Sequence, residues 1–383
     1  MERQITLGDV IAPAKVLRCD NDDYPVLSMT MHDGIVLQSN RFKKSLASID
    51  QSNYKVVLRG QLVVGFPIDE GVIYVQNIAE AGIMSPAYGV WNIHSKEIMP
   101  EYLELCLHSP QSMDYYKNKL RGTTARRRSI TTGDLLALPI ILPSLTEQKR
   151  RIGLFRQTTL LLNSQKQAML KFDELVKSRF VEMFGDPISH LDRGETKQLD
   201  RIAERITVGF VGEASNDYVE AGVPYLRTQN VRVNHIDLEG LIYVNESFHK
   251  KNSKSIIRPG DIVISRVGAN RGMAAVIPES LPESNIANCL IVGRTTLIDS
   301  CYLAFYLNMS YGKRPQFGAS VGSAQGVVNT SVLKKWEIYV PEKKEQKEFV
   351  EYVNQVDKSK LTVKQSLEKL ETLKKSLMQQ YFG

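Results

Sequence analysis

Apolar positions follow two regimes along the chain, short runs and a long helical period, and the pair of regimes occurs twice. In residues 1–141 the runs Tyr54–Leu58, Gln61–Phe66 and Gly71–Gln76 predict strands, with Arg59-Gly60 as the turn between the first two. Pro100–His108 predicts a helix, with proline at its start and Tyr102, Leu103, Cys106 and Leu107 at helical spacing. Residues 186–339 repeat the plan. Pro224–Val231 reads as a strand and polar loop, Ile256–Ile264 matches Val56–Val64 with its turn, Cys301–Leu307 matches the helix, and Trp336–Val340 a closing strand.

Between and after these heads lies the stronger repeat. Residues 142–185 and 340–383 are each 44 long and align without a gap at an offset of 198. Glu147-Gln148-Lys149 matches Glu345-Gln346-Lys347, and Phe184-Gly185 matches Phe382-Gly383. Pro143 and Pro341 precede the helices, Glu147 and Glu345 suit the positive N-terminal end, and the glycines are stops. In the second copy Phe349, Val353, Val356, Val363, Leu367, Leu370, Leu377 and Tyr381 fall on a 4,3 coiled-coil register, with Lys360 and Lys374 at the remaining positions. The first copy carries Phe155, Leu162, Met169, Phe172, Val176 and Met183, interrupted by Arg151, Thr158, Gln165 and Arg179. Helices of about 36 residues are ~54 Å long. Pairing antiparallel within one chain, they would place one head at each end. The expected architecture is therefore α+β: two mixed α/β heads at 1–141 and 186–339, separated by two long antiparallel coiled-coil helices at 142–185 and 340–383, with an internal pseudo-two-fold repeat.

At 383 residues, 43% hydrophobic and 24% charged, the chain has the composition of an ordinary globular protein. A formal charge of +7 leans towards an anionic partner. The four cysteines are far apart, which argues against a zinc or disulfide framework and for a reducing, cytoplasmic setting. No apolar run reaches the ~20 residues of a membrane span, and the N-terminus lacks the apolar core of a signal peptide. There is no phosphate loop, no Asn-Pro-Pro or Asp-Pro-Pro tetrapeptide for holding a target amine, and no metal spacing among the six histidines. Val208–Gly212 lacks the spacing of a cofactor loop, and Glu342-Lys343-Lys344 fits a nuclease fragment only superficially.

Head, helix ending in Phe-Gly, second head and second helix, each helix opened by Leu/Val-Pro-x-x-x-Glu-Gln-Lys, resembles the DNA specificity subunit of Type I restriction-modification systems. The resemblance covers essentially the whole chain. Its motifs are Pro143–Lys149, Pro341–Lys347, Phe184-Gly185-Asp186-Pro187 and Tyr381-Phe382-Gly383, supported by Leu7–Val10, Pro224–Arg227 and Pro259–Asp261. It implies a non-catalytic chain whose heads are target recognition domains. Each would read one half of a split, asymmetric target on double-stranded DNA, with the helices setting the unread gap. It implies two modification subunits as partners, methylating adenine with S-adenosylmethionine, and restriction subunits driven by ATP with Mg; no cofactor is expected in this chain. A different class stays open, a non-catalytic protein-interaction scaffold with two heads on a coiled coil.

Candidate DNA contacts come from residue chemistry. Arginine forks onto guanine, glutamine and asparagine suit adenine, and clustered positive charge neutralises phosphates. In the first head the stretch 117–128 holds six basic residues, and no acid occurs between Asp114 and Asp134. Its candidates are Arg121, Thr123, Thr124, Arg126, Arg127, Arg128 and Ser129, with a weaker cluster at Ser39, Asn40, Arg41, Lys43 and Lys44. In the second head they are Arg227, Thr228, Gln229, Asn230 and Arg232, then Arg266, Asn270 and Arg271, and, in the place of the arginine-rich loop, Gln325 and Asn329. A solvated surface is the plain alternative for each.

Overall fold

The computed structural model describes residues 2–15, 17–19, 24–31, 33–41, 51–121, 128–187, 195–311 and 329–383, the side chains of Asn40, Arg41 and Tyr311 excepted. The chain forms two compact units. The first joins residues 1–167 to 363–383, and the second is 168–362. Each unit therefore contains one head, the beginning of one long helix and the end of the other. The helices are the central helix Leu145–Phe184 and the terminal helix Lys343–Phe382, 40 residues each. The central one stops where Gly185 takes a left-handed φ of 75°, a conformation that costs glycine least.

In the first unit the strand Arg3–Thr6 pairs antiparallel with Pro139–Leu142. A four-stranded antiparallel sheet has the order Ile11–Pro13, Gly89–Ile93, Leu62–Val64, Ile73–Val75. Successive residues of Leu62–Val64 and Ile73–Val75 enter different cores. Leu62, Ile73 and Val75 face the helices, whereas Val63 and Tyr74 face a second cluster with Leu27, Val57 and Met84. Burial on both faces is why these strands read as continuous apolar runs rather than as an alternation. Arg59-Gly60 does turn the chain, with φ of 84° at Gly60. It does not make a hairpin, because Lys55–Leu58 pairs with Ala81–Met84 while Leu62–Val64 pairs with the strands on either side of it. The turn carries the chain from one sheet into the next.

The second unit repeats this wiring. Ile206–Val208, Cys289–Val292, Ile262–Ser265 and Ala274–Val276 form a sheet of the same order, Thr196–Gln198 pairs with Glu337–Tyr339, and Gly260 turns at φ 83°. Val223–Leu226 runs parallel to Ser284–Ile286, as Val26 bridges in parallel to Ile83 in the first unit. The heads differ where the second adds Tyr218–Val219 and Ile242–Val244, giving a five-stranded mixed sheet.

Within each unit the helix segments are antiparallel. In the first, the start of the central helix meets the end of the terminal one, where Phe155 lies 5.8 Å from Phe382 between ring centres. In the second, Phe349 packs at 5.4 Å against Phe180 and 5.6 Å against Phe184. Of the seam positions, Phe155, Leu162, Val176, Phe349, Val353 and Val356 are buried. Met169, Phe172, Met183, Val363, Leu367, Leu370, Leu377 and Tyr381 are half-buried. Polar seam positions are paired across helices too: Lys360 with Asp173 at 2.7 Å, and Arg179 with Glu348 at 2.6 Å.

Candidate nucleic-acid interface

Any recognition surface on a head depends on how that head is fastened to its helices. The repeated Glu-Gln-Lys supplies the first fastening. Gln148 is fully buried; its Oε1 accepts from Met99 N at 2.9 Å, and its Nε2 donates to Glu97 O at 2.7 Å and Pro143 O at 2.9 Å. Gln346 does the same in the second unit, accepting from Asp299 N at 2.7 Å and donating to Leu297 O at 3.2 Å and Pro341 O at 2.8 Å. One side chain amide thus ties the helix start to the loop that opens the head helix. The Phe-Gly ends supply the second fastening. Phe382 lies 5.5 Å from Tyr102, and Phe184 lies 4.8 Å from Tyr302. Both tyrosines are fully buried and donate to the closing strand, to Ile141 O at 3.0 Å and Tyr339 O at 3.1 Å. Each head is therefore held by the start of one helix and the end of the other.

Among the repeat positions at which the two junctions differ is Arg151 against Phe349. The Arg151 guanidinium is buried, 4.7 Å over the Tyr381 ring, and donates to Glu147 at 2.9 Å, Tyr381 O at 3.2 Å, the Tyr102 hydroxyl at 3.4 Å and Glu2. Hydrogen bonds from Arg150 and Arg151 hold the Glu147 carboxyl down at about 2.

In the first head Thr123, Thr124, Arg126 and Arg127 lie outside the described residues. The flanks of that loop are defined. Arg121 and Ser129 exchange backbone hydrogen bonds of 2.8 and 3.2 Å. Arg128 is engaged internally, its guanidinium at 2.5 Å from Asp69 and also bonded to Glu70, and its carbonyl accepts from Ile68 N at 3.3 Å. It fixes the neck of the loop and is not free to meet a phosphate in this arrangement. Ser39 is exposed on the short helix Gln38–Arg41, which also carries Asn40 and Arg41; Lys43 and Lys44 are outside the described residues.

In the second head the structure joins two candidate groups that are separate in sequence. Arg227, Thr228, Gln229, Asn230 and Arg232 follow strand Val223–Leu226, and Arg266, Asn270 and Arg271 follow strand Ile262–Ser265. Asn270 Nδ2 donates to Thr228 O and Val231 O, both at 3.1 Å. Asn230 is buried, accepting from Arg227 N at 2.9 Å and donating to Asp237 O at 2.9 Å. Arg232 points to Asp237 at 3.4 Å. The Asp237 carboxyl is held below its usual range, first by the Glu239 backbone N–H and then by Arg232. Asn329 stands apart from this group and caps the helix Thr330–Lys334, accepting from Ser331 N at 3.0 Å; Gln325 is outside the described residues. Two residues outside the sequence candidates support this region: Asp237, which accepts from Asn230 and Arg232, and Asn308, which bonds Asn234 and Ala274. A lone asparagine on an apolar helix such as Ser300–Tyr311 was the available signal for the second.

Residues 195–372 match the family model for the Type I restriction modification DNA specificity domain. Among curated proteins, the type I restriction enzyme MjaVIII specificity subunit of Methanocaldococcus jannaschii is 20% identical over 371 residues, 93% of this chain and 84% of that one. The putative MjaX specificity subunit of the same organism is 25% identical over 193 residues, so the match spans 49% of this chain and 45% of that relative. Two solved structures share the fold over the full length of this chain. One, described under complex assembly and conformational transition of the type I R-M system, has a TM-score of 0.61 at 18% identity and 97% coverage of its chain. The other, the Type-I restriction-modification system S subunit from M. genitalium, has a TM-score of 0.56 at 13% identity and 96% coverage.

Proposed function

We propose, on the premise that this chain is a DNA specificity subunit of a Type I restriction-modification system, that its two heads read the two halves of one asymmetric DNA target. The observation that carries this is a single head wiring built twice on the same helix fastenings while the surface loops diverge. Equal mounts with unlike loops suit two unlike half-sites on one duplex. The helices set the unread gap between the halves. They also bind two adenine-methylating modification subunits, using exposed apolar side chains such as Leu160 and Leu161 in the first unit and Leu170 and Leu175 in the second. Restriction subunits join that assembly. Catalysis and its S-adenosylmethionine, ATP and Mg belong to those partners, and the setting is the cytoplasm. Among the described residues no helix is long and apolar enough to cross a membrane, and no group of three or more His, Cys, Asp or Glu side chains could hold a metal.

The test is to express the chain with a modification partner and map methylated adenines across the host genome. A bipartite motif with two different halves is expected; a continuous or palindromic motif would overturn the reading. Because the helix segments pair antiparallel, one heptad added to both helices should widen the gap. Seven residues add ~10.5 Å, about three base pairs.

A further inference from the structure

The turn Thr228–Asn230 and the loop 266–272 form one hydrogen-bonded frame. The frame's asparagines are used up in building it. Asn270 spends both amide hydrogens on Thr228 O and Val231 O, and its Oδ1 faces Arg232 Nη1 at 3.5 Å. Asn230 is 2% exposed, with its oxygen on Arg227 N and its nitrogen on Asp237 O. Asn308 reaches across from helix Ser300–Tyr311 to Asn234 Oδ1 at 2.6 Å and Ala274 O at 2.8 Å, and fixes the hairpin that follows. None of the three can offer the paired donor and acceptor that an adenine edge takes.

One amide on the frame is left over. Gln229, the middle residue of the turn, is exposed, and its side chain has no hydrogen-bond partner among the described residues. Arg227, Arg232, Arg266 and Arg271 stand on the same two segments, a positive surround for a polar duplex. Backbone on both sides of Gln229 is pinned, so its side chain alone must be ordered on binding.

We propose that Gln229 is a specificity-determining residue of the second head, reading adenine in the major groove through its amide, and that Asn270 is a positioning residue that presents it. The proposal rests on the reading of unit 2 as DNA-recognising and goes beyond it by naming the residue and the base. Gln229 Oε1 accepts from adenine N6, and Nε2 donates to N7. Asn270 acts only through the turn.

The experiment uses the full chain assembled with its modification partner. Methylation of host genomic DNA gives the motif; duplexes carrying that motif with one position replaced give the preference ratios. Gln229→Ala should lower the preference for adenine about 5- to 150-fold at one position of one half-site and leave the other half-site untouched. Gln229→Glu should move that preference towards cytosine, whose N4 donates to a carboxylate. Asn270→Ala should weaken binding to every variant of that half-site without changing which base is preferred. A motif insensitive to both Gln229 variants overturns the proposal while leaving the bipartite reading standing. Asn270→Ala producing the same single-position loss as Gln229→Ala overturns the division of roles. A wild-type complex with no sequence preference overturns the reading of the heads itself.

Discussion

Replacing Gln148 with alanine tests the fastening of the first head most directly. The substitution removes three hydrogen bonds of 2.7–2.9 Å and strands Met99 N, Glu97 O and Pro143 O beside a side chain that is fully buried. Each made bond contributes about 1 kcal/mol net, but a buried group left without a partner costs ~1–3 kcal/mol. Met99 N–H sits at the start of helix Pro100–Leu107, where water can rescue part of the loss. The expected destabilisation is therefore about 3–5 kcal/mol, confined to the first unit. For a unit of this size each kcal/mol shifts the midpoint by about 2–4 °C, so calorimetry should show one transition falling by roughly 6–20 °C. Gln148→Glu is the sharper control. It keeps an acceptor for Met99 N but turns an anion towards the Glu97 and Pro143 carbonyls, and should cost at least as much as alanine. Gln346→Ala should move the transition of the second unit instead. A loss below about 1 kcal/mol for Gln148→Ala would refute the idea that the repeated Glu-Gln-Lys is a fastening.

Other outcomes follow from the same geometry. The Glu147 carboxyl is held at about 2 against an ordinary 4.5, so its contribution is present above pH 4.5 and is lost as pH falls from 4.5 towards 2. Glu147→Gln should flatten that stretch of an acid titration followed by urea midpoints, and an unchanged profile would remove the Arg150–Glu147–Arg151 cluster from the acid response. Burial pushes the Cys106 thiol up to about 12, so it should not alkylate with iodoacetamide at pH 8 until urea is added; rapid labelling of Cys106 in the native chain, located by peptide mapping, would contradict the packing. Arg126→Ala combined with Arg127→Ala should weaken DNA binding by the assembled complex, lower its salt slope by up to about 2, and spare assembly with the modification partner. Unchanged affinity and slope would take that loop out of the interface.

The scaffold was legible in the sequence for physical reasons. A gapless 44-residue repeat fixes helix length and phase, and its apolar seam must be buried whatever the heads do. Strands buried on both faces show as apolar runs, which located Leu62–Val64 and Ile262–Ser265 but gave no sign of which sheet each would enter. Polar side chains were the hard part. Asn230 and Asn270 carry the same amide as Gln229 on one cluster, yet two of them hold the backbone and the third is exposed. Asn230 is held locally, by Arg227 and Asp237, but the role of Asn270 depends on partners 38–42 residues away, Thr228, Val231 and Arg232, and no local pattern encodes it. Arg128 shows the same effect: its neighbours in sequence are basic, while the carboxylates that take its charge, Asp69 and Glu70, are 58–59 residues upstream.

The crossed fastening also orders how the molecule is made. The second unit is one continuous stretch, 168–362, and has everything it needs once that stretch has left the ribosome. The first head, although translated earliest, has a gap in its core beside Tyr102 until Phe382 arrives. It must wait through the synthesis of the entire second unit, so the usual sequence of N-terminal domain first is reversed. A nonsense codon that removed residues 363–383 would accordingly leave the second head, the nearer one in sequence, complete and damage the first, the farther one in sequence.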